Sequence, residues 1–86
     1  MLRITPERGD GRLTLKLEGS LAGPWVEELE RVVERCLGQE GQLKLDLSEV
    51  HYADADGATL LRDLMSGKVE LGRRSTFIAE LLEGGS

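Results

Sequence analysis

Leucine recurs at every second position in two separate stretches of the chain. In "RLTLKLEG" (12–19), Leu13, Leu15 and Leu17 alternate with Arg12, Thr14, Lys16 and Glu18. In "QLKLDLSEV" (42–50), Leu43, Leu45 and Leu47 share one face, and Lys44 and Asp46 fall on the other. A period of two places alternate side chains on opposite faces of a pleated strand, so both stretches are predicted strands with one apolar face. "LRIT" (2–5) adds a short strand, and "PERGDG" after it carries turn chemistry, which predicts an opening hairpin. "KVELG" (68–72) reads as a fourth, short strand.

Between the strands the period changes to that of a helix. "GPWVEELERVVERCLG" (23–38) carries an apolar stripe of Trp25 or Val26, Leu29, Val32 or Val33, Cys36 and Leu37. Pro24 suits the first helical position, where a missing N–H is not needed, and Gly38 is the expected stop. "DGATLLRDLMSG" (56–67) places Ala58, Leu61, Leu64 and Met65 at helical spacing, with Gly67 past the end. "STFIAELL" (75–82) is a last helix that Ser75 is placed to cap.

The order is therefore β-β-α-β-α-β-α. Strands buried on both faces read as near-continuous apolar runs. Here the second faces are polar, with Lys16 and Glu18, Lys44 and Asp46, Lys68 and Glu70. All helices should then cover one face. Right-handed crossovers stepping in a single direction give strand order 1-2-3-4, and a doubly wound sheet is disfavoured. The expected fold is a small two-layer α/β domain over residues 1–83, a four-stranded, mostly parallel sheet with an N-terminal hairpin. Residues 84–86, within "EGGS", are expected to be a disordered tail.

Composition narrows the function classes. The 86 residues carry a net charge of −5 and no basic run, which argues against nucleic acid and against an anionic membrane surface. No apolar run reaches the length of a membrane span, and the first residues have no signal-peptide pattern. A cytoplasmic location and a monomer or weak dimer are expected. Trp25, Tyr52 and Phe77 are the only aromatics, so the core must rest on Leu, Val and Ile. Cys36 is the single cysteine, which excludes an internal disulfide. His51 has no second histidine or spaced cysteine with which to share a metal, and Ser48, Ser66 and Cys36 have no evident base. Neither a cofactor nor catalytic activity is expected.

The candidate chemistry lies in "YADADGATLL" (52–61), where Asp54 and Asp56 stand at a strand-to-helix junction. Three readings are open. Asp56 just before the helix is a candidate cap, accepting N–H groups of the first turn at the positive end of the dipole. Alternatively Asp46, Asp54 and Asp56 form an acidic pocket that holds Mg²⁺ or accepts a phosphoryl group, since hard cations take such oxygens. The third reading is a switch that has lost its switchable residue.

The third reading comes from a resemblance. "LKLEGSLAG", a helix, "LKLDLSEVHYADADG", a helix, a short strand and a last helix resemble the STAS family, named for sulfate transporters and anti-sigma factor antagonists. The resemblance covers nearly the whole chain, and its most specific element is Asp46-Leu47-Ser48 followed by Asp54-Ala55-Asp56-Gly57. In antagonists of that family the corresponding loop reads Asp-Ser-Ser-Gly, and a partner kinase phosphorylates the serine before the glycine. Here that position is Asp56 and the first serine is Ala55; Asp54 and Gly57 are kept. A phosphoserine carries about −1.5 to −2 charges at neutral pH, whereas Asp56 carries a fixed single charge.

The resemblance implies a non-catalytic, regulatory protein-interaction module. Its binding surface would be Asp54, Ala55, Asp56 and Gly57 with the outward face of the next helix, Thr59, Arg62, Asp63 and Ser66, supported by Asp46 and Ser48. The implied partner is a kinase-like anti-sigma factor, or alternatively the ATPase of a membrane transporter, as in other STAS proteins.

Overall fold

The computed structural model describes residues 1–9 and 11–84. Its elements are β1 (Leu2–Gly9), β2 (Arg12–Leu21), α1 (Pro24–Glu40), β3 (Leu43–Ala53), α2 (Ala55–Met65), β4 (Val69–Arg74) and α3 (Thr76–Gly84). The sheet order is β1-β2-β3-β4, with β1 antiparallel to β2 and the other pairs parallel. This is the expected topology.

The leucine alternation sets the layers. Leu13, Leu15, Leu17, Leu43, Leu45, Leu47 and Val69 are buried against Leu29, Val33, Leu61 and Ile78 of the helices. The opposite face is polar and partly solvated. There Lys16 pairs in register with Asp46, and the Glu70 carboxylate lies 3.8 Å from Lys44 and 3.9 Å from Arg12. Lys68 departs from the expectation, since it stands in the turn before β4 and not in the strand.

Several boundaries move, each for a local reason. β1 runs on through Pro6 to Gly9, because an edge strand has one side without a hydrogen-bond ladder and tolerates proline. Asp10, within the expected turn, lies outside the described residues. α1 passes Gly38 and stops at Gly41, whose left-handed backbone (φ 78°) lets its N–H reach the Leu37 carbonyl at 2.9 Å. A glycine inside a helix costs only about 1 kcal/mol relative to alanine, so Gly38 does not end it. In α2 the buried residues are Gly57, Ala58, Leu60 and Leu61, whereas Met65, expected in the stripe, is 45% exposed in the last turn.

α3 begins after Ser75, as expected of its cap. The buried Ser75 hydroxyl accepts the Ile78 N–H at 3.2 Å and donates to the Val50 carbonyl, which ties α3 to the end of β3. The helix includes Gly84, the first residue of the expected tail; residues 85–86 lie outside the described residues.

β3 is longer than its alternation predicts, and it is bulged. Lys16 faces Asp46 but Glu18 faces Glu49, and Gly19 faces Val50 but Ser20 faces Tyr52. At each step β3 carries one extra residue, which resets the inward face to Val50 and then Ala53. The strand thus delivers its last buried residue directly before Asp54.

Candidate functional site

The junction from β3 to α2 lies at the carboxyl end of the parallel strands, where open α/β sheets present their ligand sites. Asp54, in extended backbone conformation (φ −83°, ψ −176°), is the N-cap of α2. One carboxylate oxygen accepts the Gly57 N–H at 2.8 Å, and the other accepts the Gly23 N–H at 3.0 Å, just ahead of α1. The Asp54 N–H donates to the Leu21 carbonyl at 3.2 Å. A single residue therefore joins the end of β2, the start of α1 and the start of α2. The Gly23 N–H, followed by the Gly57 N–H, holds the Asp54 carboxyl below the usual carboxylate range.

This corrects the assignment of the cap. Asp56 is not the capping residue; it lies in the first turn of α2 with an exposed side chain. The physical reason is one of register. Asp54 has the extended backbone of an N-cap and reaches the N–H three residues on, whereas Asp56 is already helical. No hydrogen bond or ion pair engages the Asp56 carboxylate among the described residues, so its charge faces solvent.

Gly57 is buried, and close approach explains it. A Cβ there would stand 2.4 Å from the Leu21 carbonyl oxygen and 3.3 Å from the Asp54 carboxylate. Only a glycine lets α2 start this near to β2.

The other expected site residues spread along α2. Ala55 and Thr59 are exposed beside Asp56, and the Thr59 hydroxyl donates to the Ala55 carbonyl at 3.0 Å. Arg62 and Asp63 are exposed further along, and the Arg62 guanidinium donates to the Leu81 carbonyl of α3 at 3.2 Å. Ser66 is the C-cap, its hydroxyl on the Asp63 carbonyl at 2.8 Å. The helix of 11 residues spans about 16 Å, so Ser66 stands at the opposite end from the loop.

Asp46 and Ser48 do not join the loop. The Asp46 carboxylate accepts the Ser48 N–H at 3.0 Å and its hydroxyl at 2.7 Å, a local turn within β3 at the first bulge. Burial opposes ionisation of Asp46, but the two Ser48 donors, with Arg73 and Lys16, outweigh it and lower its pKa. The three acids envisaged as one pocket are thus not brought together. Among the described residues no group of three His, Cys, Asp or Glu side chains is placed to share a metal ion.

Two features of the site have no local signal in the sequence. Gly23 is 31 residues from Asp54 and meets it only because β2 and β3 end side by side. Tyr52 is half exposed before the loop, its ring centroid 5.9 Å from that of Phe77.

No protein-family model and no curated protein matches this chain. Among solved structures it is similar to an uncharacterized protein of the DUF3478 family with a SpoIIAA-like fold, from Shewanella loihica PV-4. The two share 20% sequence identity at a TM-score of 0.57, over 86% of this chain and 67% of that one. The chain thus has the SpoIIAA-like fold, the fold of the anti-sigma factor antagonists that its sequence resembles. No helix among the described residues is long and apolar enough to cross a membrane.

Proposed function

We propose that this chain is a non-catalytic, regulatory protein-interaction module of the anti-sigma factor antagonist type. It presents a fixed acid where related antagonists carry a switchable serine. The observation that carries the reading is the division of labour between the two acids of the loop. Asp54 caps α2, so the exposed Asp56 is not needed for capping and stands free beside Ala55 and Thr59 on a rigid helix start. A charge held in place by the fold and open to solvent is suited to recognition by a second protein. The partner class is a kinase-like anti-sigma factor, and the setting is the cytoplasm.

The test is calorimetric titration of the native chain and of Asp56→Ser against the purified kinase-like anti-sigma factors of the source organism. One of them should bind, and the substitution should change its affinity about tenfold or more, roughly 1.4 kcal/mol, at an unchanged melting temperature. Tighter binding of the Ser form places the native chain in the released state of the switch. Weaker binding means that the partner reads the acid directly. Equal affinity, or no binding to any of them, would falsify the proposal.

A further inference from the structure

β1 is an edge strand of 8 residues: β2 takes one side of it, and among the described residues no strand takes the other. Which backbone groups face outward follows from the ladder. The Ser20 N–H donates to the Met1 carbonyl at 2.9 Å, and the pairing runs in step from there, Leu2 with Gly19 through to Gly9 with Arg12. Hydrogen-bonded pairs alternate along an antiparallel ladder, so Arg3, Thr5 and Glu7 turn their backbone groups to β2, and Leu2, Ile4 and Pro6 turn theirs away. Pro6 lacks the N–H but keeps its carbonyl. A free edge of this kind is a template for another strand.

The side chains select the strand. Arg3, Thr5 and Glu7 lie on the wet face, in register with Glu18, Lys16 and Thr14 of β2, whereas Leu2, Ile4 and Pro6 lie on the helix face. A second β1 running antiparallel must present its own outward groups, so only registers of like phase are open. With Thr5 on the two-fold axis, Arg3 falls opposite Glu7 at two places and Thr5 opposite Thr5. Ile4 falls opposite Pro6, whose carbonyl is placed to accept the Ile4 N–H. Opposite charges, paired threonines and apolar pairs are the cross-strand neighbours that stabilise a sheet. Moving the axis to Ile4 or Pro6 sets Arg3 against Thr5 or Gly9 and loses both charge pairs. The net charge of −5 is not concentrated here, since the wet face beside this edge carries Arg3 and Lys16 against Glu7 and Glu18.

We propose that two copies of this chain pair through β1, antiparallel and with Thr5 on the axis, into one continuous sheet with both helix layers on the same face. A single pair of strands is a small contact, so the dimer dissociates on dilution. The loop at 54–57 follows β3, two strands from the seam, and stays open in the pair.

The test is sedimentation equilibrium of the full chain from about 1 μM to about 1 mM, over which monomer should give way to dimer. Glu7→Arg sets arginine against arginine and Arg3→Glu sets glutamate against glutamate, so each variant alone should dimerise at least about tenfold more weakly. Mixed in equal amounts, the two regain both charge pairs and should associate with near-native affinity. Arg3 also faces Glu18, so circular dichroism checks that Arg3→Glu folds; where it does not, Thr5→Cys in a Cys36→Ala background replaces the mixing. The Cα atoms of a non-hydrogen-bonded pair lie about 4.5 Å apart, within disulfide range. Mild oxidation should then link two copies through position 5, and Thr14→Cys, one strand inward, should not link them. A native chain that stays monomeric throughout, with Pro6 guarding the edge, overturns the proposal. A dimer that neither charge variant weakens, or that mixing fails to restore, overturns it too, as does a Thr5→Cys variant that links no faster than Thr14→Cys.

Discussion

Asp54 and Gly23 are joined by a 3.0 Å hydrogen bond from the Gly23 N–H to one carboxylate oxygen, while the other oxygen caps α2 through Gly57. The carboxylate fastens two loops that approach each other only in the folded chain. Asp54→Ala removes both bonds and leaves two N–H groups to find water, whereas Asp56→Ala removes only an exposed first-turn charge, about 0.3–1 kcal/mol of dipole interaction. Urea denaturation should show Asp54→Ala as clearly the more damaging. A ranking with Asp56→Ala equal or worse would contradict the capping assignment.

Acid should loosen the same clamp. The folded-state pKa of Asp54 lies below its ordinary value of 3.8, held down by the Gly23 and Gly57 N–H groups. A depressed pKa adds stability above the unfolded value, and that stability is lost as pH falls through the folded one. Asp46 behaves alike, since its burial is outweighed by the Ser48 donors. The native chain should therefore lose stability as pH drops below about 4, and Asp54→Asn should show a shallower decline. Denaturation midpoints between pH 2 and 6 give the comparison, and identical slopes would remove Asp54 as a contributor.

Gly57 admits no side chain without movement. A Cβ placed 2.4 Å from the Leu21 carbonyl oxygen must push α2 away from β2. Gly57→Ala should destabilise by about 1–3 kcal/mol, the usual range for overpacking. It should also perturb the amide resonances of Gly23 and Asp54. A neutral substitution with unmoved resonances would mean that the approach of α2 is looser than described.

The strand register can be checked at its centre. Leu45 is fully buried and pairs in register with Leu15 and Leu71. Leu45→Ala should cost about 2–5 kcal/mol in chemical denaturation, as large-to-small core changes do. A loss below about 0.5 kcal/mol belongs to a surface position, and would place Leu45 on the other face of the sheet.

The sequence by itself determined the layers. Alternating leucines in β2 and β3 and helical stripes in α1 and α2 are local periodicities, and a chain that obeys them has one wet face and one helix-covered face whatever the details. Strand order follows from the same pattern, because one-sided cover demands crossovers that step one way. Pro24 and Ser75 were legible for the same reason: a helix start is chosen by its first few residues.

Only the tertiary structure decided how the strands end and which acid caps α2. Strict alternation after Leu47 would turn Val50 outward; the first bulge, set by pairing with β2, turns it inward, and the second restores the parity that places Ala53 inward, two residues earlier along β2 than an unbulged strand would put it. That shift fixes where β3 stops, and hence that Asp54 rather than Asp56 meets the Gly57 N–H and, across the fold, the Gly23 N–H. A linear reading takes Asp56, the acid directly before Gly57 and the apolar run, as the cap. The role passes to Asp54 once neighbouring strands fix the backbone between the two, since a cap needs an extended residue and a donor within reach.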